Sequence, residues 1–180
     1  VAKNCQPGEF IIVKIDEVGE RIPLTICDYN REEGTVTIVF QIVGGSTERM
    51  ADLKAGDAFH DFVGPLGNPS EFVHEDIESL KNKKMLFVAG GVGTAPVYPQ
   101  VKWLHEHGID VDVKDKKKNK DLLILEKEMS EVSNLYVTTD DGSYVRKGMG
   151  TDVLRDLVEN QGKKYDLCVA IGPMIMMKFV

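Results

Sequence analysis

The stretch AGGVGTAP, residues 89–96, has the composition of a loop that binds phosphate. It follows an apolar run typical of a buried strand and precedes a pattern typical of a helix. Gly90, Gly91 and Gly93 allow backbone amides to approach a ligand closely, and the helix start offers unpaired N–H groups to an anion. Pro96 stands where the dinucleotide fingerprint has its third glycine. The motif alone therefore predicts either a nucleotide loop or an ordinary strand-to-helix turn.

Two stretches in the first half offer further contacts for an anion or a flat ring. In ERIPLTICDY, Arg21 shortly precedes Thr25 on a predicted strand. A guanidinium holds phosphate with two hydrogen bonds, and a strand hydroxyl can bond beside a ring. In VGGSTERM, Gly45, Ser46 and Thr47 open a predicted helix, which is a second anion-binding geometry. Each feature alone also fits a structural role: a solvated arginine, an outward threonine or a helix cap.

Candidate ligand contacts also follow two later strands, at the edge where ligands bind to parallel sheets. In TTDDGSY, Asp140 and Asp141 could accept hydrogen bonds from ribose hydroxyls. A metal is not expected there, because no third carboxylate or histidine lies near in sequence. Gly172 and Pro173 end the last strand and open a helix. The methionines after them are expected to fill the core: Met174, Met176 and Met177.

A run of lysines follows the predicted strand 109–113: Lys114, Lys116, Lys117, Lys118 and Lys120. In a doubly wound sheet, the end of the second strand is where the adenosine ribose of a nucleotide is recognised. Lysines there favour a 2′-phosphate and hence NADP(H). Asp112 or Asp115 would instead suit an unphosphorylated ribose. A run of charge is also commonly a solvated surface.

The elements that carry these motifs divide the chain into two domains, with a boundary in the polar stretch 68–84. Residues 1–75 hold short runs rich in Val, Ile, Thr and Phe between turns, which predict a small antiparallel β-barrel. Residues 83–180 alternate strands with helices, which predicts an α/β domain with a parallel sheet. The predicted strands are 10–15, 22–26, 35–43, 58–63, 85–89, 109–113, 135–139 and 167–171, and the predicted helices are 46–54, 95–107, 121–130 and 151–160.

Composition limits the classes of function. The net charge is −7 over 180 residues, which disfavours a nucleic-acid partner. The chain has no apolar run of about 18 residues that would predict a membrane span. Its three cysteines are too far apart for a zinc or iron–sulfur site and suit the cytoplasm. Cys27 and Cys168 lie in strand-like runs and are expected in the core.

In their order, these motifs resemble the ferredoxin–NADP reductase superfamily. The stretches ERIPLTI, VGPLG, AGGVGTAP, KDLLILE, TTDDGSY and AIGPMIMMK resemble the electron-transfer subunit of dihydroorotate dehydrogenase. They are more similar still to the small subunit of NADH-dependent ferredoxin–NADP oxidoreductases, also called sulfide dehydrogenase subunits. The resemblance extends over essentially the whole chain.

The resemblance implies FAD in the first domain and NAD(P)(H) in the second. The implied FAD residues are Arg21, Pro23, Leu24, Thr25, Gly45, Ser46 and Thr47. Arg21 stands one place earlier than in the family pattern. The implied NAD(P) residues are Gly90, Gly91, Gly93, Thr94, Pro96, Lys118, Asp140, Asp141, Gly172, Pro173 and Met174. Lys118 stands where relatives commonly have arginine.

The implied function is that of an FAD-dependent oxidoreductase subunit. It transfers hydride between NAD(P)H and FAD and passes electrons to iron–sulfur centres of a partner. The partner is a larger subunit that resembles either glutamate synthase or the dihydroorotate-oxidising subunit, with ferredoxin as a further candidate. Relatives have an additional N-terminal strand and a C-terminal segment with a [2Fe-2S] cluster, so the chain is expected to be a fragment that does not itself encode the cluster.

Three other hypotheses stay open at this point. The chain could be the electron-transfer subunit of a dihydroorotate dehydrogenase, or a flavin reductase that acts alone. It could also be a non-catalytic nucleotide-binding module, because Arg21 is displaced from the family pattern and the terminal segments are absent.

Overall fold

A computed structural model describes residues 1–117, 124–139, 141–144, 154–178 and 180. The chain forms two compact units, Val1–Val73 and His74–Val180. The division falls inside the polar stretch 68–84. That stretch is not a plain linker, because it contains a 3-10 turn, Glu71–His74, and helix α2, Ile77–Lys81.

The first unit is built on a four-stranded antiparallel sheet with the strand order β3-β2-β1-β4. Strand β3 ends five residues earlier than the sequence predicts, and β4 begins three residues later. The elements are β1 Phe10–Lys14, β2 Ile22–Asn30, β3 Thr35–Ile38, helix α1 Gly45–Ala51 and β4 Asp61–Leu66.

Alternation along β1 separates the two faces of this sheet. Ile11 and Val13 are completely buried, whereas Phe10 and Ile12 between them are half-buried. Directly opposed residues of neighbouring antiparallel strands share a face, so β2 follows the same alternation. The buried residues of this core are Cys5, Ile11, Val13, Ile26 and Met50.

The second unit has a four-stranded parallel sheet with the strand order β7-β6-β5-β8. The sequence-predicted fold class, an antiparallel β unit followed by a parallel α/β unit, is confirmed. The strands are β5 Met85–Gly90, β6 Val111–Lys117, β7 Asn134–Thr139 and β8 Leu167–Ile171. The helices are α3 Thr94–Glu106, α4 Glu126–Val132 and α5 Met174–Met177, with a π-helical turn at Asp156–Asn160.

Helix α3 covers β5, whose six residues are all buried. Val97, Val101 and Leu104 lie on the buried side of α3, at the three- and four-residue spacing of one helix face. Pro96 lies in the first turn of α3, where its missing N–H would have no helical partner. The side chain of Gln100 donates to the carbonyl oxygen of Pro96 at 2.8 Å.

Two expectations about the core are only partly correct. Cys27 is buried as predicted, but Cys168 is exposed on β8, the last strand of the described sheet on its side. Met174 and Met177 are 72% and 45% exposed, and neither fills the core. Within the part of the chain that the structure describes, no helix is long and apolar enough to cross a membrane.

Asp112 joins three segments at the amino edge of the parallel sheet. Its carboxylate accepts hydrogen bonds from Lys163 at 2.7 Å, Tyr165 at 2.6 Å and Asn134 at 3.0 Å. Burial alone would raise the pKa of Asp112, but these hydrogen bonds outweigh it and the pKa lies below its ordinary value. Asp112 therefore holds the fold together far from the edge where a ribose would bind.

We expect Asp112→Asn to lower the free energy of unfolding of the second unit by about 2 kcal/mol at neutral pH, because hydrogen bonds to a charged group are lost. The lowered pKa of Asp112 means that its charge stabilises the fold above the ordinary carboxyl pKa of about 3.9. This contribution disappears as the pH falls through the lower pKa of the folded state. The difference between the wild type and the variant should therefore shrink in acid.

Urea unfolding at pH 6 and pH 3.5, followed by the fluorescence of Trp103, measures this difference. Trp103 is the single tryptophan and lies in the second unit. Asp110→Asn is the matched control, because Asp110 is an exposed carboxylate two residues away. An equal loss in both variants would contradict the role of Asp112.

Candidate functional site

The carboxyl ends of the four parallel strands meet at one edge of the second unit. From β5 the chain passes through α3 to β6 and then to β7, and it returns on the opposite side of β5 as β8. The strand order therefore reverses between β5 and β8, and ligands of open α/β sheets bind in the crevice at such a point. The predicted loops 90–93 and 172–174 both lie there.

Three of the predicted glycines hold the ends of β5 and β8 together. A Cβ on Gly93 would overlap the carbonyl oxygen of Ile171, and one on Gly172 would lie 3.1 Å from the carbonyl oxygen of Gly90. A Cβ on Gly90 would lie 2.5 Å from the sulfur of Met176. The missing side chain of Gly93 thus makes room for β8, whereas the sequence alone indicates an approach to a ligand.

Gly91 and Val92 form the open side of the loop. Gly91 has a φ of 59°, and a Cβ on it would meet no atom within 4 Å. Val92 is 46% exposed. Helix α3 begins two residues later at Thr94, so its first N–H groups lie at the same edge of the sheet. The loop thus offers backbone amides and a helix N-terminus to an anion.

A buried polar network lies under the loop. The hydroxyl of Thr94, a completely buried residue, donates to Oδ1 of Asp115 at 3.0 Å and accepts a hydrogen bond from Nζ of Lys117. Nζ of Lys117 also donates to the carbonyl oxygen of Gly91 at 2.6 Å and lies 3.0 Å from the Asp115 carboxylate. Thr94 therefore supports the loop from the inside instead of facing a ligand.

Burial shifts both charged groups of this network toward their neutral forms. Desolvation raises the pKa of Asp115 and lowers that of Lys117. The attraction between the two charges and their mutual hydrogen bonds oppose both shifts. Removing one partner of such a pair is costly, because the other charge would stay buried without compensation.

Three of the five lysines that the sequence places after a strand are part of that strand. β6 runs to Lys117 instead of ending at residue 113, so Lys114 and Lys117 are buried and Lys116 is half-buried. Lys114 and Lys117 therefore do not support the prediction of NADP(H), because a buried ammonium cannot contact a 2′-phosphate at the surface. Lys118 and Lys120 lie outside the described residues.

The other candidates of the second unit lie at the ends of β7 and β8. Asp141 is exposed and accepts hydrogen bonds from the hydroxyl of Ser143 at 2.7 Å and from its backbone N–H at 2.9 Å, which lower the pKa of Asp141. Asp140 lies outside the described residues. Pro173 precedes α5, whose first residue, Met174, is exposed beside the glycine loops. Among the described residues, no group of three or more His, Cys, Asp or Glu side chains could hold a metal ion.

The candidates on β2 lie on both faces of the antiparallel sheet. Pro23 and Thr25 oppose the half-buried residues of β1 and share their outer face, whereas Leu24 packs against the core. Arg21 precedes β2 and forms an exposed ion pair with Asp61, the first residue of β4, at 3.1 Å. The structure thus brings Pro23 and Thr25 together and separates them from Leu24.

Gly45, Ser46 and Thr47 form the first turn of α1. The hydroxyl oxygen of Thr47 accepts hydrogen bonds from the two backbone N–H groups before Gly45, at 2.9 Å and 3.1 Å. The hydroxyl of Ser46 donates to the carboxylate of Glu20 at 2.6 Å. Side chains of this exposed turn and of Glu20 therefore order the start of α1.

Solved structures define the class of protein to which this fold corresponds. The chain matches the structure of an NADH-dependent reduced ferredoxin-NADP oxidoreductase, studied for flavin-based electron bifurcation, with a TM-score of 0.86 and 40% identity over 99% of this chain and 62% of that one. It also matches a ferredoxin-NADP+ reductase variant of Plasmodium falciparum with a TM-score of 0.67 and 14% identity, over 98% of this chain and 76% of that one. At this identity the match shows a likeness of fold alone. The chain therefore has the two-domain fold of the ferredoxin reductases.

Sequence relatives narrow this class to one family, although no protein-family model matches the chain. A Clostridium beijerinckii protein described as a protein in the adh 3′ region is 67% identical over 99% of this chain and 61% of its own length. The dihydroorotate dehydrogenase B (NAD(+)) electron transfer subunit of Fusobacterium nucleatum is 33% identical over 98% of this chain and 68% of its own length.

This chain belongs to the family of dihydroorotate dehydrogenase B electron transfer subunits. The resemblance that the sequence motifs indicate is thereby confirmed. The chain spans about three fifths of the length of the first relatives that it matches.

We expect Gly93→Ala to destabilise the second unit by about 3 kcal/mol, because the added methyl group overlaps the backbone of β8. Gly91→Ala should cost about 1 kcal/mol, since it only strains a left-handed residue next to open space. Urea unfolding followed by Trp103 fluorescence measures both variants. Equal losses would show that the close approach of β5 and β8 does not limit the residue at position 93.

Proposed function

We propose that this chain forms the FAD- and NAD(P)H-binding part of an oxidoreductase subunit. It would take part in hydride transfer between nicotinamide and flavin and pass electrons to iron–sulfur centres of a larger partner. The observation that carries the proposal is the glycine loop at the reversal of strand order, in a chain of this electron-transfer family.

The second unit has the features that a nicotinamide nucleotide requires. Gly91 leaves open space where another residue would place a Cβ, so a pyrophosphate can approach the backbone amides of the loop. Across the crevice, the loop after β8 presents the exposed side chain of Met174. A thioether is a polarisable apolar group that suits contact with an aromatic ring. We therefore assign the pyrophosphate to loop 90–93 and the nicotinamide to the side of loop 172–174.

The first unit has a surface that suits a flat ring. Pro23 and Thr25 lie on the outer face of the sheet beside Ile12, and the adjacent Val63 of β4 is 43% exposed. An apolar sheet face that stays exposed indicates a binding surface. Thr25 adds one hydroxyl to this face, and it is the residue that we assign to the polar edge of the flavin.

Two nearby groups suit the phosphates of FAD. The family resemblance assigns the phosphates to Arg21 and to the turn Gly45–Thr47. Arg21 and Gly45 are exposed in the structure, and the other two residues of the turn are half-buried. Arg21 has a guanidinium that can hold a phosphate with two hydrogen bonds.

Bound flavin and nicotinamide supply the hydride chemistry themselves. The residues of this chain bind the two cofactors, orient them and limit the access of water. Hydride transfer requires no side-chain acid or base, so we assign no catalytic residue.

The first test is whether the purified protein binds FAD. We expect a yellow protein, and Thr25→Val should weaken FAD binding about fivefold, because one hydrogen bond is lost. Titration of FAD into the flavin-free protein, followed by flavin fluorescence, gives the dissociation constants. Thr37→Val is the matched control, since Thr37 is an exposed threonine on β3 of the same unit. A colourless protein that binds no added FAD would leave the non-catalytic module as the better hypothesis.

The second test addresses the nucleotide. We expect NADH or NADPH to bleach the bound flavin, and Gly91→Ala to weaken binding of that nucleotide about tenfold, because the added methyl group enters the open crevice. Gly34→Ala is the control, since Gly34 has a similar φ of 73° in open space but lies in the first unit. Comparison of the two nucleotides measures the preference for the 2′-phosphate. Equal effects of both substitutions would argue against loop 90–93 as the nucleotide site.

For the partner, we favour a larger subunit that resembles glutamate synthase. The stretches ERIPLTI and GPMIMMK favour this partner over the dihydroorotate-oxidising subunit. The complex isolated with its partner subunit should therefore reduce ferredoxin with nicotinamide nucleotides. Reduction of NAD+ by dihydroorotate in that complex would favour the dihydroorotate dehydrogenase instead, and activity without any partner would favour a flavin reductase that acts alone.

A further inference from the structure

Lys117 is a buried lysine that the proposed function does not yet use. It is the last residue of β6, which pairs with β5 on one side and β7 on the other. Its side chain is 0% exposed. Fully buried lysines are rare, and they are held by specific partners. The partners of Lys117 are Asp115 on the same strand, Thr94 at the start of α3 and the carbonyl oxygen of Gly91.

The bond to Gly91 fixes the direction of one peptide group. Within the described residues, the cis peptide is Gly64–Pro65, so the Gly91–Val92 peptide is trans. In a trans peptide the C=O and N–H groups point in opposite directions. The carbonyl oxygen of Gly91 points to Nζ of Lys117 at 2.6 Å, under the loop. The N–H of Val92 therefore points away from Lys117.

The outer side of this peptide is open to a ligand. Gly91 and Val92 are both exposed, whereas Gly93 and Thr94, which follow them, are buried. No Cβ of Gly91 stands in the way, since one built there would meet no atom within 4 Å. The N–H of Val92 is thus presented at the crevice where strand order reverses, and it is a hydrogen-bond donor for an anion.

We propose that Lys117 is a positioning residue that holds the Gly91–Val92 peptide with its N–H toward the pyrophosphate of the nicotinamide nucleotide. This inference rests on the proposed nucleotide site. The hydroxyl of Thr94 also lies 3.4 Å from the Gly91 carbonyl oxygen, which is long for a hydrogen bond between oxygens, whereas Lys117 lies at 2.6 Å. Without the bond from Lys117, the peptide is therefore held less firmly, and rotation would turn its carbonyl oxygen toward the phosphate and repel it.

The bond does not depend on the charge of Lys117. Both the ammonium and the neutral amine carry N–H groups that can donate to Gly91. Asp115 plays a different part, because its carboxylate compensates the buried amine and orients the hydroxyl of Thr94. Substitutions at positions 117 and 115 can therefore separate the hydrogen bond to the loop from the ion pair beneath it.

The test uses ADP-ribose, which contains the pyrophosphate and lacks the nicotinamide, so that binding is measured by calorimetry without any redox reaction. The double variant Lys117→Met/Asp115→Asn removes the donor and its carboxylate together, so neither member of the pair stays buried without the other. Buried Lys114 also attracts Asp115 and loses that attraction in this variant, so its thermal melting is measured before the titration. Asp115→Asn alone keeps the donor, but it leaves the amine of Lys117 buried without its carboxylate. This variant is therefore expected to melt below the wild type, and its affinity is measured at a temperature at which it is folded. Lys84→Met removes an exposed ammonium before β5, at the opposite edge of the same sheet, and controls for net charge.

We expect the double variant to bind ADP-ribose at least tenfold more weakly, while Asp115→Asn and Lys84→Met stay within threefold of the wild type. The FAD content should be the same in all four proteins. Binding within twofold of the wild type in the folded double variant would overturn the role of Lys117. A tenfold loss in Asp115→Asn would also overturn it, because the ion pair and not the bond to Gly91 would then control affinity.

The same titration separates this inference from the proposed function. A wild-type protein that binds neither ADP-ribose nor NAD(P)H would overturn the nucleotide site and the role of Lys117 together. If the double variant does not fold, as judged by Trp103 fluorescence, Lys117→Met/Asp115→Leu removes the same donor and puts an apolar pair in its place. The same tenfold loss is expected of that variant, and binding within twofold of the wild type would overturn the role of Lys117.

Discussion

The candidate site depends on the close approach of the ends of β5 and β8. The space that a side chain at Gly93 would need is filled by the carbonyl oxygen of Ile171, and a side chain at Gly172 would lie 3.1 Å from the carbonyl oxygen of Gly90. Because these backbones approach so closely, peptide groups form the floor of the edge where the strand order reverses. Helix α3 can then begin directly at this floor, so that its positive end lies at the crevice.

The loop between β5 and α3 is therefore fixed from two directions. β8 holds its buried side through Gly93. β6 holds it from below through Lys117 and Asp115, which bond to Gly91 and to Thr94 at the start of α3. What stays open is the short Gly91–Val92 segment. A loop with one open side offers its amides to a ligand without the entropy loss of ordering a flexible chain.

The order of elements is readable from the sequence because the hydrophobic periods are clear. The apolar run of β5, the three- and four-residue spacing in α3 and the run Leu167–Ile171 all predict the observed elements. β6 is the exception. Its second half, Lys114–Lys117, is charged and so indicates a loop, although Val111, Val113, Asp115 and Lys117 continue a period of two. This alternation places Asp115 and Lys117 on one face of the strand, and it is the feature of the sequence that could have indicated a buried ion pair.

Other features depend on contacts that no local pattern contains. Gly93 looks like a ligand-binding glycine in sequence, and only the position of β8 gives it a packing role. Leu24 and Thr25 are neighbours in one motif, but the pleat of β2 places them on opposite faces. Cys168 lies in an apolar run, yet it is exposed because the described sheet ends at β8 on that side. For Gly93 it is a strand distant in sequence that decides the environment, for Leu24 and Thr25 it is the pleat of their own strand, and for Cys168 it is a position at the edge of the described sheet.

The ion pair between Arg21 and Asp61 has a consequence for any phosphate that binds Arg21. The arginine already has an anionic partner at 3.1 Å, so a phosphate would replace a carboxylate and not water alone. The gain is then the difference between two exposed ion pairs, each of which is weak in water. Asp61 thus acts as an internal competitor that keeps the guanidinium in place when the site is empty and limits how tightly an anion is held.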